Sequence, residues 1–268
     1  MPEGDTIHKV ANYLAPRLSD HVIEEVRMAD TSAAGRCVAA RIQGVVARGK
    51  HLFFELDNGL AIRSHLGMYG SWHRYAPSEE WKKPRNRASL RLRVNGEDYV
   101  CFNAKEVELI RTPSVRRAIT KTRLGPDLIA DDIEPVRIVE RAREICDGDT
   151  LLADVLLDQR VASGIGNVYK SEVLFIRSLS PALTLGQVSD EELEACFELA
   201  ADLLKKNLGG GKRVTRFEND KAGRLWVYNR HGKPCHRCLT RIRTQRLGRH
   251  HRGTYWCPKC QQERSCKN

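Results

Sequence analysis

Hydrophobic positions in the first 125 residues change from a helical period to the period of a β-strand. In residues 6–14, Ile7, Val10, Ala11 and Leu14 recur every three or four positions, which predicts an amphipathic helix. From about residue 22 onward apolar and polar residues alternate, and turn signals stand at 57–59 and 95–96. Several hairpins with short turns predict an antiparallel β-sandwich behind the N-terminal helix.

Between residues 126 and 222 the pattern becomes helical. Residues 133–146 and 151–158 are amphipathic, and Ser189 to Glu192 form a capping box that opens a further helix ending near residue 208. Between these segments, residues 159–172 predict a tight glycine turn, with Gly164 and Gly166, that opens another helix at Asn167. Two helices joined by such a turn predict a helix-two-turn-helix element that binds phosphate, with Asn167 as a donor; a purely structural helical hairpin is the alternative.

The last segment contains two Cys-x2-Cys pairs separated by 18 residues, a spacing typical of a structural zinc site with four thiolates. The predicted ligands are Cys235, Cys238, Cys257 and Cys260, holding one Zn²⁺ per chain. The alternating residues between the pairs predict a β-hairpin with Arg252 near its tip, where a guanidinium could grip a phosphate. The other cysteines have no partner spacing and are interpreted as ordinary residues: Cys37, Cys101, Cys146, Cys196 and Cys266.

Together these patterns predict an α+β multidomain protein. Residues 1–125 would form an N-terminal catalytic domain, a helix plus an antiparallel β-sandwich. Residues 126–222 would form a helical helix-two-turn-helix domain, and residues 223–268 a zinc finger built on a β-hairpin. This last unit has too few apolar residues to fold without its metal.

Charge and composition narrow the class of partner. The 268 residues carry a net charge of +11, but residues 221–268 hold 13 lysines and arginines against one acid, so the basicity belongs to the C-terminal segment. A concentrated basic module with aromatics and paired cysteines favours nucleic acid as the partner over a solvated basic tail. There is no run of 18 apolar residues, so we expect a cytoplasmic protein that makes no membrane contact.

The first residues suggest a chemistry. Removal of Met1 would leave Pro2 with a free secondary amine, next to the carboxylate of Glu3. Such an amine titrates near pH 8 and condenses with an aldehyde to a charged iminium, which acts as an electron sink. The alternative is that Pro2 only starts the following helix.

Two further spots in the sandwich stand out. Lys50, in the Gly49-Lys50-His51 junction between strands, could reach a phosphate or a base, or could be an exposed loop lysine. The loop after His65 displays Met68 and Tyr69 between glycines, which suits insertion into a base stack. Core packing of Met68 and Trp72 is the alternative for that loop.

Taken together, the chain resembles the formamidopyrimidine-DNA glycosylase and endonuclease VIII family over nearly its whole length. Four blocks carry the resemblance, in the order expected for that family, and the opening Pro-Glu-Gly-Asp is similar to the endonuclease VIII branch. These blocks are Pro2-Glu3, Gly49-Lys50, the run from Gly164 to Tyr169, and the run from Arg252 to Cys260.

The resemblance implies a bifunctional DNA glycosylase and AP lyase of base excision repair, which excises oxidised bases. The similarity to the endonuclease VIII branch implies that these bases are pyrimidines. Pro2 would be the nucleophile and Glu3 the general acid/base, while Lys50 would contact the DNA backbone near the lesion. Cleavage would pass through a Schiff base and then β,δ-elimination. Structural zinc would be the one cofactor, and the enzyme would be a monomer associated with the nucleoid through damaged DNA.

By the same resemblance, Asn167 and Arg252 would clamp the phosphates of the damaged strand. Met68, together with Tyr69, would fill the gap left by the extruded nucleotide. The chain departs from the family here, because Gly67 replaces the larger residue that is usual at that position.

Two rival functions account for part of the sequence. A non-catalytic zinc-ribbon protein that binds nucleic acid would use the basic segment and the glycine turn, but not a free Pro2. An N-terminal-proline enzyme acting on small carbonyl compounds would leave the zinc module and its charge without a role. Covalent trapping on abasic DNA with borohydride separates the glycosylase from the binder.

Overall fold

The computed structural model describes residues 1–111, 124–129, 132–218, 220, 222–249 and 251–262. The chain divides into two compact units, Met1–Arg123 and Leu124–Asn268. A further division of the second unit at residue 222 stays a prediction. Among the described residues, no helix combines the length and apolar character needed to cross a bilayer.

The first unit begins with the predicted amphipathic helix, α1 (Gly4–Leu18). Its apolar stripe, which includes Ile7, Leu14 and Leu18, is almost fully buried in the core of this unit. The helix packs against strands β2 (Ile42–Arg48) and β3 (His51–Leu56). This packing fixes the direction in which the first turn, and therefore the N-terminus, points.

Two antiparallel four-stranded sheets complete the first unit. The core between them is formed by fully buried side chains such as Phe54, Ile62 and Leu92. The predicted turn at 95–96 is present, because Val94 pairs with Glu97. The first sheet has the order β1 (Glu25–Met28), β6 (Ala88–Val94), β7 (Glu97–Phe102), β5 (Ser71–Tyr75), and the second has the order β2, β3, β4 (Leu60–His65), β8 (Glu106–Arg111).

One element of this unit departs from the alternating pattern. A short helix, α2 (Thr31–Gly35), lies where the alternation from about residue 22 predicts strand, and β2 begins only at Ile42. The carboxylate of Asp30 accepts a hydrogen bond from the amide of Ala33 at 2.9 Å. Local capping, followed by small residues that tolerate close packing, therefore produces a helical turn here.

The second unit is mainly helical, as predicted. The capping box at Ser189 is formed: its hydroxyl accepts from the amide of Glu192 at 3.3 Å, and its own amide donates to the Glu192 carboxylate at 3.1 Å. The described helices are α3 (Pro135–Ile145), α4 (Leu152–Leu157), α5 (Asn167–Ile176) and α6 (Asp190–Lys206). A two-stranded hairpin, β9 (Arg243–Leu247) with β10 (Arg252–Trp256), follows them.

The cysteines outside the two pairs behave as ordinary core residues where they are described. Cys37, Cys101 and Cys196 are completely buried. Burial raises the pKa of the Cys37 thiol to about 11 and the pKa values of Cys101 and Cys196 to about 12. These thiols therefore stay protonated and unreactive near neutral pH. Cys266 lies outside the described residues.

Candidate functional site

The N-terminal site is built on the first turn of α1. The carbonyl of Glu3 accepts hydrogen bonds from the amides of Thr6 (2.9 Å) and Ile7 (3.2 Å), and the Glu3 amide donates to the Thr6 hydroxyl at 3.4 Å. Glu3 is fully buried, whereas Pro2 before it is partly exposed. The carboxylate stands at the positive end of the helix, where a negative charge is favoured. The carboxylic acid of Glu3 is therefore held in place by the first turn of α1, and the partly exposed Pro2, whose nitrogen is the candidate nucleophile, precedes it directly in the sequence.

Lys50 lies at the tip of the hairpin between β2 and β3. Arg48 pairs with His51, so the turn consists of Gly49 and Lys50 alone. Gly49 has a φ of +55°, which glycine adopts without the steric cost of a side chain. The strand junction predicted from the sequence is present, and it presents a partly exposed lysine on a short, rigid support.

Behind this tip lies a pair of histidines, with rings tilted by 37° to each other, that the sequence analysis did not single out. The rings of His51 and His65 have centroids 4.7 Å apart. Nη1 of Arg63 lies 3.4 Å from Nδ1 of His51, and Nη2 lies 3.1 Å from the Glu106 carboxylate. Burial lowers the pKa of His51 to about 3 and also lowers the pKa of His65. Both rings are therefore neutral at pH 7, and they link the Lys50 turn to the end of β4.

The loop after β4 displays apolar side chains to solvent. Met68 is 46% exposed and Tyr69 is 77% exposed, whereas Trp72 packs against the core ring of Phe54 at 5.2 Å. We call residues 66–70 the wedge loop. The alternative of core packing is thus wrong for Met68 and holds for Trp72.

Two glycines shape the wedge loop. Gly70 donates to the Leu66 carbonyl at 3.0 Å, and a Cβ at position 70 would lie 2.4 Å from that oxygen. Gly67 has a φ of +62°, and a Cβ there would lie 2.8 Å from Cβ of Lys105. The Lys105 side chain therefore occupies the space that a larger residue at position 67 would need.

In the second unit, the glycine turn and the hairpin are hydrogen-bonded to each other. Nδ2 of Asn167, at the first turn of α5, donates to the carbonyl of Gly253 at 2.6 Å. The buried Nζ of Lys170 donates to Oδ1 of Asn167 and to Oγ1 of Thr254, both at 2.7 Å. Asn167 and the residue after Arg252 are thus in direct contact, so the two predicted phosphate ligands lie close together, although Asn167 is only 8% exposed.

The tip of the hairpin is held at a second point. The Asp154 carboxylate, on α4, accepts a hydrogen bond from the amide of Arg249 at 2.7 Å. Arg252, where β10 begins, is exposed. The hairpin is therefore fixed at its tip and along β10, and the Arg252 guanidinium extends from it into solvent.

A buried carboxylate, also missed from the sequence, organises the chain before the cysteine pairs. Glu172 accepts hydrogen bonds from the hydroxyl of Thr215 and from the amides of Trp226 (2.7 Å), Val227 (2.9 Å) and Tyr228 (2.7 Å). Burial raises the pKa of Glu172, and these four hydrogen bonds oppose the rise. Glu172 ties α5 to Thr215, within the segment 212–222, and to residues 226–228, which follow that segment. Asn219 and Lys221 lie outside the described residues.

The four paired cysteines converge as their spacing predicts. Their sulfur atoms all lie within 4.8 Å of one another, with Sγ of Cys238 at 3.3 Å from Cys257 and 3.4 Å from Cys260. Zinc–sulfur bonds of about 2.3 Å in a tetrahedron require sulfur–sulfur distances of about 3.8 Å. Cys235 and Cys257 are buried together with Phe175, Val227 and Ile242. The cluster therefore fits a tetrahedral metal ion and forms part of a small core.

Comparisons with known proteins agree with this arrangement. Residues 1–109 match the formamidopyrimidine-DNA glycosylase N-terminal domain, and residues 124–219 match the formamidopyrimidine-DNA glycosylase H2TH domain. A Streptomyces coelicolor protein named probable endonuclease 8 2 is 36% identical, covering 97% of this chain and 94% of the relative. A Mycolicibacterium smegmatis protein named DNA-(apurinic or apyrimidinic site) lyase Nei2 is 34% identical, covering 97% and 99%.

Solved structures show the same fold. The formamidopyrimidine-DNA glycosylase of Lactococcus lactis, solved non-covalently bound to DNA that contains an AP site, superposes with a TM-score of 0.83. It is 23% identical, and the match covers 98% of this chain and 100% of that one. The α+β fold, with its N-terminal sandwich and its helix-two-turn-helix, is confirmed. The chain belongs to the formamidopyrimidine-DNA glycosylase and endonuclease VIII family.

Proposed function

We propose that the protein is a bifunctional DNA glycosylase and AP lyase that removes oxidised pyrimidines from DNA. The observation that carries the proposal is the fully buried carboxylate of Glu3 at the positive end of α1, directly after Pro2. Relatives named endonuclease 8 and AP lyase, similar over nearly the whole chain, support the reaction class.

The first step joins the Pro2 nitrogen to C1′ of the damaged nucleotide. Once Met1 has been removed, Glu3 donates a proton to the sugar ring oxygen while the lone pair of the secondary amine attacks C1′, so that the bond between C1′ and the ring oxygen breaks. The proton of the amine then passes to the base, and the N-glycosidic bond breaks as the nitrogen lone pair forms a cationic iminium with C1′. Because Glu3 is held in place, its carboxyl group can stay within hydrogen-bond distance of the sugar, as a general acid must.

The second step cleaves the strand. The iminium withdraws electrons and acidifies the C2′ proton; its removal expels the 3′ phosphate by β-elimination. A second elimination then expels the 5′ phosphate and leaves a gap of one nucleotide, and water hydrolyses the iminium to free the amine. The whole reaction therefore requires only the amine, one residue that carries protons, and water.

Lys50, Asn167 and Arg252 would hold the DNA backbone during these steps. Arg252 offers a planar fork that suits phosphate, and Asn167 lies at the start of α5, where the helix dipole favours an anion. Met68 and Tyr69 are exposed and apolar, so they would fill the space vacated by the flipped nucleotide. The few kcal/mol needed to flip the base would be offset by these contacts.

A structural zinc ion would be held by Cys235, Cys238, Cys257 and Cys260. Its role is to fix the hairpin fold, because the surrounding core contains few apolar residues. The chain's own residues then orient the hairpin, since Lys170 and Asn167 hold β10 while Asp154 holds the tip.

Borohydride reduction tests the proposal directly. We expect the protein to form a covalent adduct with DNA that contains an abasic site when the iminium is reduced. Mass measurement of the adduct peptide should place the DNA on Pro2, in a chain that lacks Met1. Pro2→Gly, which keeps a primary amine at the chain start, should still form the adduct.

The matched control for this experiment retains Met1 with its amine acetylated, because this blocked preparation has neither a secondary amine at position 2 nor a free amine at its start. It should bind the DNA without forming the adduct. Adduct formation by the blocked preparation, or on an internal lysine of the wild type, would show that the proposed nucleophile is incorrect. Thymine glycol, compared with 8-oxoguanine in otherwise identical duplexes, tests the pyrimidine preference.

A further inference from the structure

A cationic pocket opens at one end of the first sheet, on elements that carry none of the residues proposed for catalysis. Its cavity measures about 540 Å³, the size of a small-ligand site. It lies between the end of β1, the segment before and at the start of β6, and the residues that lead into β8. Its polar and aromatic lining consists of Arg27, Trp81, Arg85, Ser89, Arg91 and Lys105.

The charge of this pocket has one sign. Four of its lining residues are cations, and no acid lines it in the part of the chain that the structure describes. Arg27 and Lys105 have carboxylate neighbours outside the lining, Glu25 at 2.7 Å and Glu106 at 3.3 Å, but their side chains are 69% and 64% exposed and can turn toward a ligand. Exposed pairs of this kind contribute little, so they compete weakly with an incoming anion.

Arg91 supplies a second, independent observation. It is only 6% exposed, and two of its nitrogens are held by carboxylates, Nη1 by Glu25 at 3.1 Å and Nη2 by Asp98 at 2.8 Å. Its Nε is buried and has no hydrogen-bond partner among the described residues. Arg91 therefore contributes a positive charge that is fixed in the wall of the pocket, with a carboxylate on each of its two Nη atoms.

An aromatic stack forms another wall. The Trp81 ring stacks on Tyr75 with centroids 5.7 Å apart, and it meets Phe102 edge-on at 5.7 Å. The Arg85 guanidinium lies 4.8 Å from the centroid of the Trp81 ring. Nucleic-acid bases stack on aromatic rings and on guanidinium planes held in this way.

We propose that this pocket binds a nucleotide, with its phosphate at Arg85, Arg91 and Lys105 and its base against the Arg85–Trp81 stack. The ligand is either a free nucleotide or a nucleotide at the end of a DNA strand, because both present the same phosphate and base. Lys105 also packs against Gly67 of the wedge loop, so the pocket adjoins a segment proposed to meet DNA. That proximity favours nucleic acid over an acidic peptide.

Binding of two fluorescent probes tests the site. The probes are methylanthraniloyl-ADP and a 5′-phosphorylated, labelled tetrathymidylate, titrated into the full-length protein. We expect saturable binding that weakens about tenfold in Arg85→Gln and in Trp81→Leu, because loss of one stacking partner costs about 1–3 kcal/mol. Arg93→Gln is the matched control, since Arg93 lies on β6 but outside the pocket. This variant should bind both probes like the wild type.

The outcomes separate the two sources of ligand. Binding of the ADP probe alone assigns the pocket to free nucleotides, and binding of the tetrathymidylate assigns it to a DNA strand. Arg85 is exposed, so Arg85→Gln keeps the test valid if Trp81→Leu fails to fold. Equal affinity of Arg85→Gln and the wild type for both probes would overturn the proposal. Arg85-dependent binding of an oligo-aspartate peptide, without binding of either nucleotide, would also overturn it.

Discussion

At the residue scale, burial decides what the titratable groups of the first unit can do. Glu3 is buried at the start of α1, and His51 and His65 are neutral at pH 7 because burial behind the Lys50 turn lowers their pKa values. The acid is held beside Pro2 by backbone hydrogen bonds to Thr6 and the following turn. Substitutions at these positions therefore have separable chemical consequences.

Glu3→Gln should separate base removal from strand cleavage. We expect excision of thymine glycol to fall by about 10²–10⁴-fold, the usual contribution of a general acid, because an amide cannot protonate the sugar. Cleavage of a preformed abasic site should fall much less, since its base is already gone. Single-turnover rates on the two substrates measure this difference. Glu140→Gln, at an exposed position of α3, is the control, and equal loss on both substrates by Glu3→Gln would refute the assigned role.

His51 should make the folded state sensitive to acid. Its pKa falls from the ordinary 6.5 to about 3 on folding, so the unfolded chain binds more protons between those values. The contribution of His51 to the free energy of unfolding is complete above pH 6.5 and is lost as the pH falls toward 3. Between pH 7.5 and 5 the free energy of unfolding should decrease by about 2 kcal/mol through this group. Urea titrations at the two pH values measure the decrease.

His51→Phe keeps a ring beside His65 but removes the titrating group, so its free energy of unfolding should change less over the same pH range. His231→Asn, which alters an exposed histidine, should retain the wild-type dependence. If His51→Phe and the wild type lose equal stability on acidification, the buried imidazole is not the source of the effect.

At the scale of elements, the second unit depends on hydrogen bonds between α5 and β10. Lys170 is 1% exposed and donates to both Asn167 and Thr254, which lie on the two elements that it joins. The proposed phosphate ligands are thus positioned by a buried ammonium group rather than by the cysteine cluster alone.

Lys170→Met should weaken DNA binding without releasing metal. The thioether fills similar space but leaves Oδ1 of Asn167 and Oγ1 of Thr254 without this donor, so the start of α5 and β10 should lose their relative position. We expect affinity for abasic-site DNA to fall about tenfold, since a hydrogen bond to a charged group contributes about 1.5–3 kcal/mol. Fluorescence anisotropy measures the affinity, and metal analysis checks the zinc content. Lys205→Met, on the exposed face of α6, should bind normally, whereas unchanged affinity of Lys170→Met would contradict this positioning role.

Several elements could be predicted because their signals are local. The turn at 95–96, the capping box at Ser189 and the cysteine spacing each specify structure within a few residues. Glu172 and Lys170 could not be recognised in the same way, because their partners lie far along the chain; Thr254 is 84 residues from Lys170. Charged residues on a predicted helix are expected to face solvent, and only the packing of α5 shows that these are buried.

At the scale of the whole molecule, the positive charge is concentrated in the C-terminal segment. Residues 221–268 carry a net +12 and the rest of the chain is nearly neutral. When the protein binds DNA, contacts made by residues 221–268 should therefore release most of the counterions. Binding should be strongly dependent on salt, and single arginines of that module should account for discrete parts of the dependence.

Arg252→Gln should make the salt dependence of DNA binding less steep. If this guanidinium holds one phosphate, the slope of log affinity against log salt should decrease in magnitude by about 0.9, with little change in sequence preference. Anisotropy titrations over a series of salt concentrations measure the slope. Arg137→Gln, an exposed arginine of α3 paired with Glu134, should leave it unchanged. Identical slopes for Arg252→Gln and the wild type would exclude a phosphate contact at this position.

The contact between Gly67 and Lys105 constrains how the wedge loop can diversify. With a left-handed backbone and a neighbouring methylene in the way, position 67 accepts little beyond glycine while lysine stays at 105. In a library randomised at both positions and selected for repair, larger side chains at 67, asparagine first among them, should arise together with glycine at 105, because every other residue keeps the Cβ that is in the way. The two sites would then be inherited as a linked pair, although they are 38 positions apart in the sequence.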